Sequence, residues 1–148
     1  MIPSKIRARQ GQRLLQVGVG LFLFTSLEGF AVEYLPIPRL GLSVHTLSVV
    51  EGLVLAVLGQ LWNRLDLGAA AARAAFWLFL YSAFATLVPY VLAALWGAGG
   101  STIPLAADAA RGTPVEELAI KVVLYSAAPA VIISLVLILW GLRRMPDA

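Results

Sequence analysis

The chain has no cysteine and a single histidine, His45. The first absence removes disulfides, thiolate nucleophiles and cysteine-ligated metals from consideration, and with them any clue to redox compartment. The second leaves too few ligands for a zinc or di-iron site, and no Glu-x-x-His spacing makes up the number. Charge is scarce as well: 13% of the 148 residues are Asp, Glu, Lys or Arg, against about a quarter in soluble proteins. That shortage excludes an ordinary water-soluble domain. No small-residue cleavage pattern follows the first apolar run, where Glu28 and Glu33 stand instead, so the N-terminal segment is expected to be retained and not removed as a signal peptide.

What is abundant is apolar. Hydrophobic residues make up 60% of the chain and the mean hydropathy is +0.88. They fall into four blocks, 14–34, 42–65, 74–96 and 118–142, each long enough to cross a hydrocarbon core of about 30 Å at about 1.5 Å per helical residue. Barrel strands would be about ten residues with strict alternation, and these runs show neither feature. The expectation is an all-α fold: one membrane domain over residues 1–148, a four-helix integral membrane bundle with a long outer loop at 97–117. Lys5, Arg7, Arg9, Arg13, Arg64, Arg73, Arg143 and Arg144 lie on one side of these blocks and Arg39, Arg111 and Lys121 on the other. The positive-inside rule then predicts both termini in the cytoplasm and a location in the inner (cytoplasmic) membrane. The basic tail 1–13 is expected to meet anionic lipid, and the net charge of +3 serves topology, with no nucleic-acid partner implied.

Ionisable groups inside a span are costly, about 2.5–3.5 kcal/mol each by insertion scales, so their default reading is functional. Span two carries His45 about one turn from its outer end and Glu51 further in; span one carries Glu28. Counted from the outer side, Glu28 and Glu51 are expected at nearly the same depth, on antiparallel neighbours joined by the short turn LPIPRLG. Such a pair invites a shared proton or a common cation. Gly52 and Gly59 follow His45 at intervals of seven residues, on nearly the same helix face. That face suits either a flat macrocycle beside the imidazole or a helix-packing seam. Any enzymatic reading requires the ring to face a cavity within the protein, with acidic side chains nearby.

Span three places Ser82, Thr86, Pro89 and Tyr90 on one polar face. Tyr90 is a candidate substrate or proton contact, and Thr86 a candidate partner for the carbonyl that Pro89 frees. In the outer loop, 105–110 is expected to form a short helix over the mouth of the cavity. Thr113, Pro114 and Glu116 match an N-cap, N1 and capping-box signature for span four. Glu117 and Lys121 stand at ion-pair spacing.

The run Pro38-Arg39-Leu40-Gly41-Leu42-Ser43-Val44-His45, then Glu51-Gly52, Leu58-Gly59, Leu61-Trp62, the segment ALWGAG at 94–99 and Leu139-Trp140-Gly141-Leu142-Arg143 together resemble the hydroxylaminobenzene mutase family. The resemblance extends, more distantly, to styrene oxide isomerases, which share the histidine, the glycine seven residues on and a tyrosine that falls on Tyr90. It implies a four-helix membrane isomerase. The mutases turn an N-aryl hydroxylamine into an ortho-aminophenol; the isomerases turn an aryl epoxide into an aldehyde. The isomerases are homotrimers with haem b between protomers and the matching histidine as axial ligand, which implies haem b here with His45 as the iron ligand. Departures are specific. Both families have asparagine where this chain has Glu51 and Thr86, the isomerases have aspartate at Ser82, and the mutase glutamate two residues after the histidine is Leu47.

The resulting expectation is an intramolecular isomerase or mutase acting on a small apolar aromatic substrate in the bilayer. His45 and Gly52 are the cofactor-binding candidates; Glu51, Tyr90 and Glu28 are the proton-handling ones. A haem-b electron carrier or sensor, and a small proton-coupled transporter using Glu28 and Glu51, are the alternatives.

Overall fold

A computed structural model describes residues 4–143; Arg144, one of the cations counted above, lies outside them. Among the described residues the chain is all-α, with five α-helices and two short 3-10 turns. The helices are α1 (Ser4–Glu28), α2 (Pro38–Leu61), α3 (Ala69–Trp96), α4 (Pro104–Ala107) and α5 (Pro114–Leu142). Proline opens α2, α4 and α5, where its missing N–H costs nothing and its φ is already helical. The α5 start is the expected capping box, with Thr113 accepting from the Glu116 amide and Glu116 from the Thr113 amide. Gly97 closes α3 in the left-handed conformation, φ 66°, which a side chain would resist.

Three stretches are long and apolar enough to cross a membrane: Pro38–Arg64, Ala69–Trp96 and Pro114–Leu142. The block 14–34 departs from expectation because it is not one helix. Its helix begins ten residues earlier, at Ser4, carrying Lys5, Arg7, Arg9 and Arg13, and stops at Glu28. The remaining residues turn at 29–31 and enter a 3-10 turn, Val32–Tyr34. The basic segment 4–13 is thus the first part of α1 and no separate tail.

Helices α1 and α2 pack antiparallel along a glycine seam. A Cβ added to Gly18 would stand 2.6 Å from the Gly52 carbonyl oxygen, and one on Gly59 would stand 2.7 Å from that of Gly11. Backbones this close draw their attraction from dispersion, which is what remains to hold helices together where the surroundings are themselves apolar. At the basic end, Arg7 donates to the carbonyls of Leu65 and Leu67 at 2.7 and 2.8 Å. There too, the buried Trp62 indole donates to Gln10 at 3.2 Å. Helix α5 returns to the same end, where the Asp66 amide donates to the Gly141 carbonyl at 3.1 Å. Helices α3 and α5 are linked midway by Tyr81 and Ser126, whose hydroxyls are 2.6 Å apart. At the opposite end the loop after α3 folds back as a cap, and its Ile103 and Ala107 are buried with Leu40, Ala93, Ala98 and Ile120.

Candidate functional site

The α1–α2 seam sets the register that builds the site. At its outer end Thr25, 5% exposed, donates to the His45 carbonyl at 3.1 Å. One turn on, Gly29 faces the imidazole so closely that a Cβ there would meet Cε1 at 3.3 Å. Between them Oε2 of Glu28 stands 3.3 Å from Nδ1 of His45. The Glu28 side chain is 10% exposed and that of His45 39%. A carboxylate on Nδ1 fixes the tautomer in which Nδ1–H donates, so that Nε2 keeps its lone pair for a ligand. Thr25 does not stand out in the sequence, and Gly29 does so only as one of the span-one glycines, with Gly18 and Gly20, that let a neighbouring helix approach closely. Their spacing of three residues before and one after Glu28 was the available signal, readable only once the antiparallel register is known.

The structure separates the other candidates. Because α1 ends at Glu28, this carboxylate lies level with His45. Glu51 is six residues further along α2, about 9 Å at helical rise, so the two acids share neither a depth nor a partner. Glu28 lines a cavity of about 280 Å³ with Val44 and Val91. Glu51 lines another, about 230 Å³, between α2, α3 and α5, together with Ser82 and Thr86. Tyr90 lines a third, about 690 Å³, beneath the loop between α3 and α5 with Thr46, Leu47 and Arg39. Each acid keeps one buried oxygen without a protein hydrogen bond, Oε1 of Glu28 and Oε2 of Glu51.

Four expectations need correction. His45 lines none of these three cavities, and its side chain is 39% exposed. Gly52 offers no free groove within this chain: it is buried against α1, with the Gly18 carbonyl oxygen 2.9 Å from its Cβ position. The polar face of α3 is split between two cavities. Within it Thr86 donates to the Ser82 carbonyl at 2.9 Å and Ser82 to that of Phe79 at 2.8 Å, so Thr86 does not serve the carbonyl freed by Pro89. Glu117 does not pair with Lys121 either. Its carboxylate accepts from the amides of Gly99, Ser101 and Gly112 and from the Ser101 hydroxyl, while the Lys121 ammonium lies 5.9 Å from the Tyr125 ring centre.

The sequence model of the family described as styrene oxide isomerase matches residues 10–143, a span that takes in both the seam and every candidate residue. The chain belongs to the styrene oxide isomerase family. Within the family it is similar to hydroxylaminobenzene mutase HabB of Ectopseudomonas oleovorans, 41% identical over 135 residues, or 91% of this chain and 82% of that protein. It is also similar to hydroxylaminobenzene mutase HabA of the same organism, 36% identical over 131 residues, or 88% of this chain and 97% of that protein. No solved structure matches this styrene oxide isomerase family member.

Proposed function

We propose that the chain is a membrane-embedded isomerase or mutase that rearranges a small aromatic substrate, an aryl hydroxylamine to an aminophenol or an aryl epoxide to an aldehyde. The observation that carries this reading is the Glu28–His45 pair, a nine-tenths buried carboxylate holding Nδ1 of a half-exposed imidazole.

That pair fits a histidine that would hold a haem iron. The carboxylate orients the ring, as outer partners of metal-bound histidines do. Haem b bound there would supply Lewis acidity toward the substrate oxygen, weakening its N–O or C–O bond. Because none of the three cavities described above encloses the His45 side chain, 39% exposed, the enclosure that an enzymatic reading requires would be completed by a neighbouring copy in a homo-oligomer, a trimer by the family resemblance.

The chain's own residues would handle binding and protons. Tyr90 lines a cavity whose volume of about 690 Å³ lies within the range that takes small ligands, about 300–1,000 Å³. Its O–H would donate to the substrate oxygen. Glu51, with one buried oxygen unsatisfied and Ser82 and Thr86 on the wall of its own cavity, stands apart from the Tyr90 cavity and would hold a proton without touching the substrate. Substrate and product have the same composition in both reactions, so no external electron donor is consumed. In the proposed topology α1 also crosses the membrane, giving four spans of an inner-membrane protein. The end that gathers Lys5, Arg7, Arg64, Arg73 and Arg143 then faces the cytoplasm.

Turnover decides the function. The full chain in lipid nanodiscs should convert N-phenylhydroxylamine to 2-aminophenol or styrene oxide to phenylacetaldehyde, at a rate unaffected by added reductant. Conversion of neither would remove the reading. Reduction by a quinol without isomerisation would favour the electron carrier.

A further inference from the structure

The Tyr90 cavity has a floor and a roof of different origin. Its floor is helical, from Leu42, Thr46 and Leu47 of α2 and Tyr90 of α3; its roof is the loop segment 102–106, which includes α4. Two ties hold that roof. Arg39, in the first turn of α2, donates through Nη2 to the Leu105 carbonyl at 2.5 Å. On the far side, the Glu117 carboxylate draws in both ends of the loop. Oε1 accepts from the Gly99 amide at 2.8 Å and the Gly112 amide at 3.1 Å. Oε2 accepts from the Ser101 amide at 3.3 Å and from the Ser101 hydroxyl. Four donors on one carboxylate are more than a helix-capping residue needs, and α5 already has its own cap in Thr113 and Glu116. Among the described residues Glu117 makes no salt bridge, so its charge is directed entirely at the loop.

We infer that Glu117, seconded by Arg39, is a positioning residue that sets the roof of the Tyr90 cavity and so determines which aromatic ligands fit there. This rests on the proposed isomerase reading for its substrate, but the cavity and its ties exist without it. Ionised hydrogen bonds are the strong kind. An amide in place of the carboxylate keeps the shape yet presents N–H groups to amide donors, so Glu117→Gln should release the loop ends without emptying the core.

The test uses the full chain in nanodiscs, with 1-naphthol as a ligand whose own fluorescence reports binding. Ser43→Trp, which fills the cavity wall, should abolish that binding and so locate it. Glu117→Gln should speed amide exchange at Gly99, Ser101 and Gly112 and weaken naphthol binding about tenfold. With N-phenylhydroxylamine it should raise KM about tenfold while leaving kcat within about twofold. Should Glu117→Gln fail to fold, Ser101→Ala, which removes one donor of four, and Arg39→Met, which removes the second tie, should move the same readouts in the same direction by smaller factors. Unchanged exchange, faster exchange with unchanged naphthol binding and KM, or binding that survives Ser43→Trp would each overturn the inference. If the unaltered chain converts neither aromatic substrate, the isomerase reading fails, and the naphthol and exchange measurements alone decide the role of Glu117.

Discussion

Oε2 of Glu28 and Nδ1 of His45 lie 3.3 Å apart although seventeen residues separate them in the chain, and the carboxylate is four times less exposed than the ring it holds. The glycine seam between α1 and α2 makes this possible, since only backbones in near contact bring the end of α1 level with the first turns of α2.

Glu28→Gln keeps the size of the side chain and removes its charge. With His45 as a haem ligand, loss of this outer carboxylate should weaken haem retention or activity about 10–100-fold, measured as haem per protein after gel filtration and as initial rate. A variant indistinguishable from the parent on both would strip Glu28 of its bracing role.

Gly18→Leu should separate α1 from α2, because its Cβ alone would approach the Gly52 carbonyl oxygen to 2.6 Å. Overpacking of this kind costs about 1–3 kcal/mol or more, read as a lower unfolding midpoint in detergent. Gly20 lies on the same helix with nothing within 4 Å of its Cβ position. Gly20→Ala should therefore be neutral or stabilising by about 0.5–1 kcal/mol, and equal effects at both sites would refute the seam.

Much of this was legible in the sequence. Uniform apolar runs announced long helices, and Thr113 with Glu116 announced the α5 cap, because both signals are local. His45 stood out because an imidazole in an apolar helix is expensive. What could not be read was register and partner choice. The apolar residues after Glu28 continue the hydrophobic run, yet the helix stops there, so the depth of Glu28 was misjudged and its pairing with His45 missed. Glu117 has Lys121 four residues away in the helix, but three backbone amides of a folded loop offer better directed hydrogen bonds than one flexible ammonium at a wet surface. Gly52 illustrates the same limit: its spacing from His45 fitted two uses, and only the position of α1 shows it in the seam.

Arg7→Met removes two charged hydrogen bonds, to the Leu65 and Leu67 carbonyls, at the junction of α1 with the α2–α3 connection. Hydrogen bonds to charged groups contribute about 1.5–3 kcal/mol, so the unfolding midpoint should fall and protease sensitivity near 62–68 should rise. Arg7→Lys, which cannot fork to both carbonyls, should recover only part of the loss.

Thr113→Ala deletes the α5 cap and should cost about 1 kcal/mol, seen as faster amide exchange in the first turn of α5. Effects confined to that turn are predicted; loss of protection throughout α5 would mean that the cap nucleates the helix.

The most direct test of the central claim is the optical spectrum of the full chain purified from haem-supplied cells, compared with His45→Ala. The account predicts a Soret band in the parent that is lost or strongly shifted in the variant, while helicity by circular dichroism is unchanged. No Soret band in the parent, or an identical band in both proteins, would contradict the proposed assignment of His45, braced by Glu28, as a haem ligand.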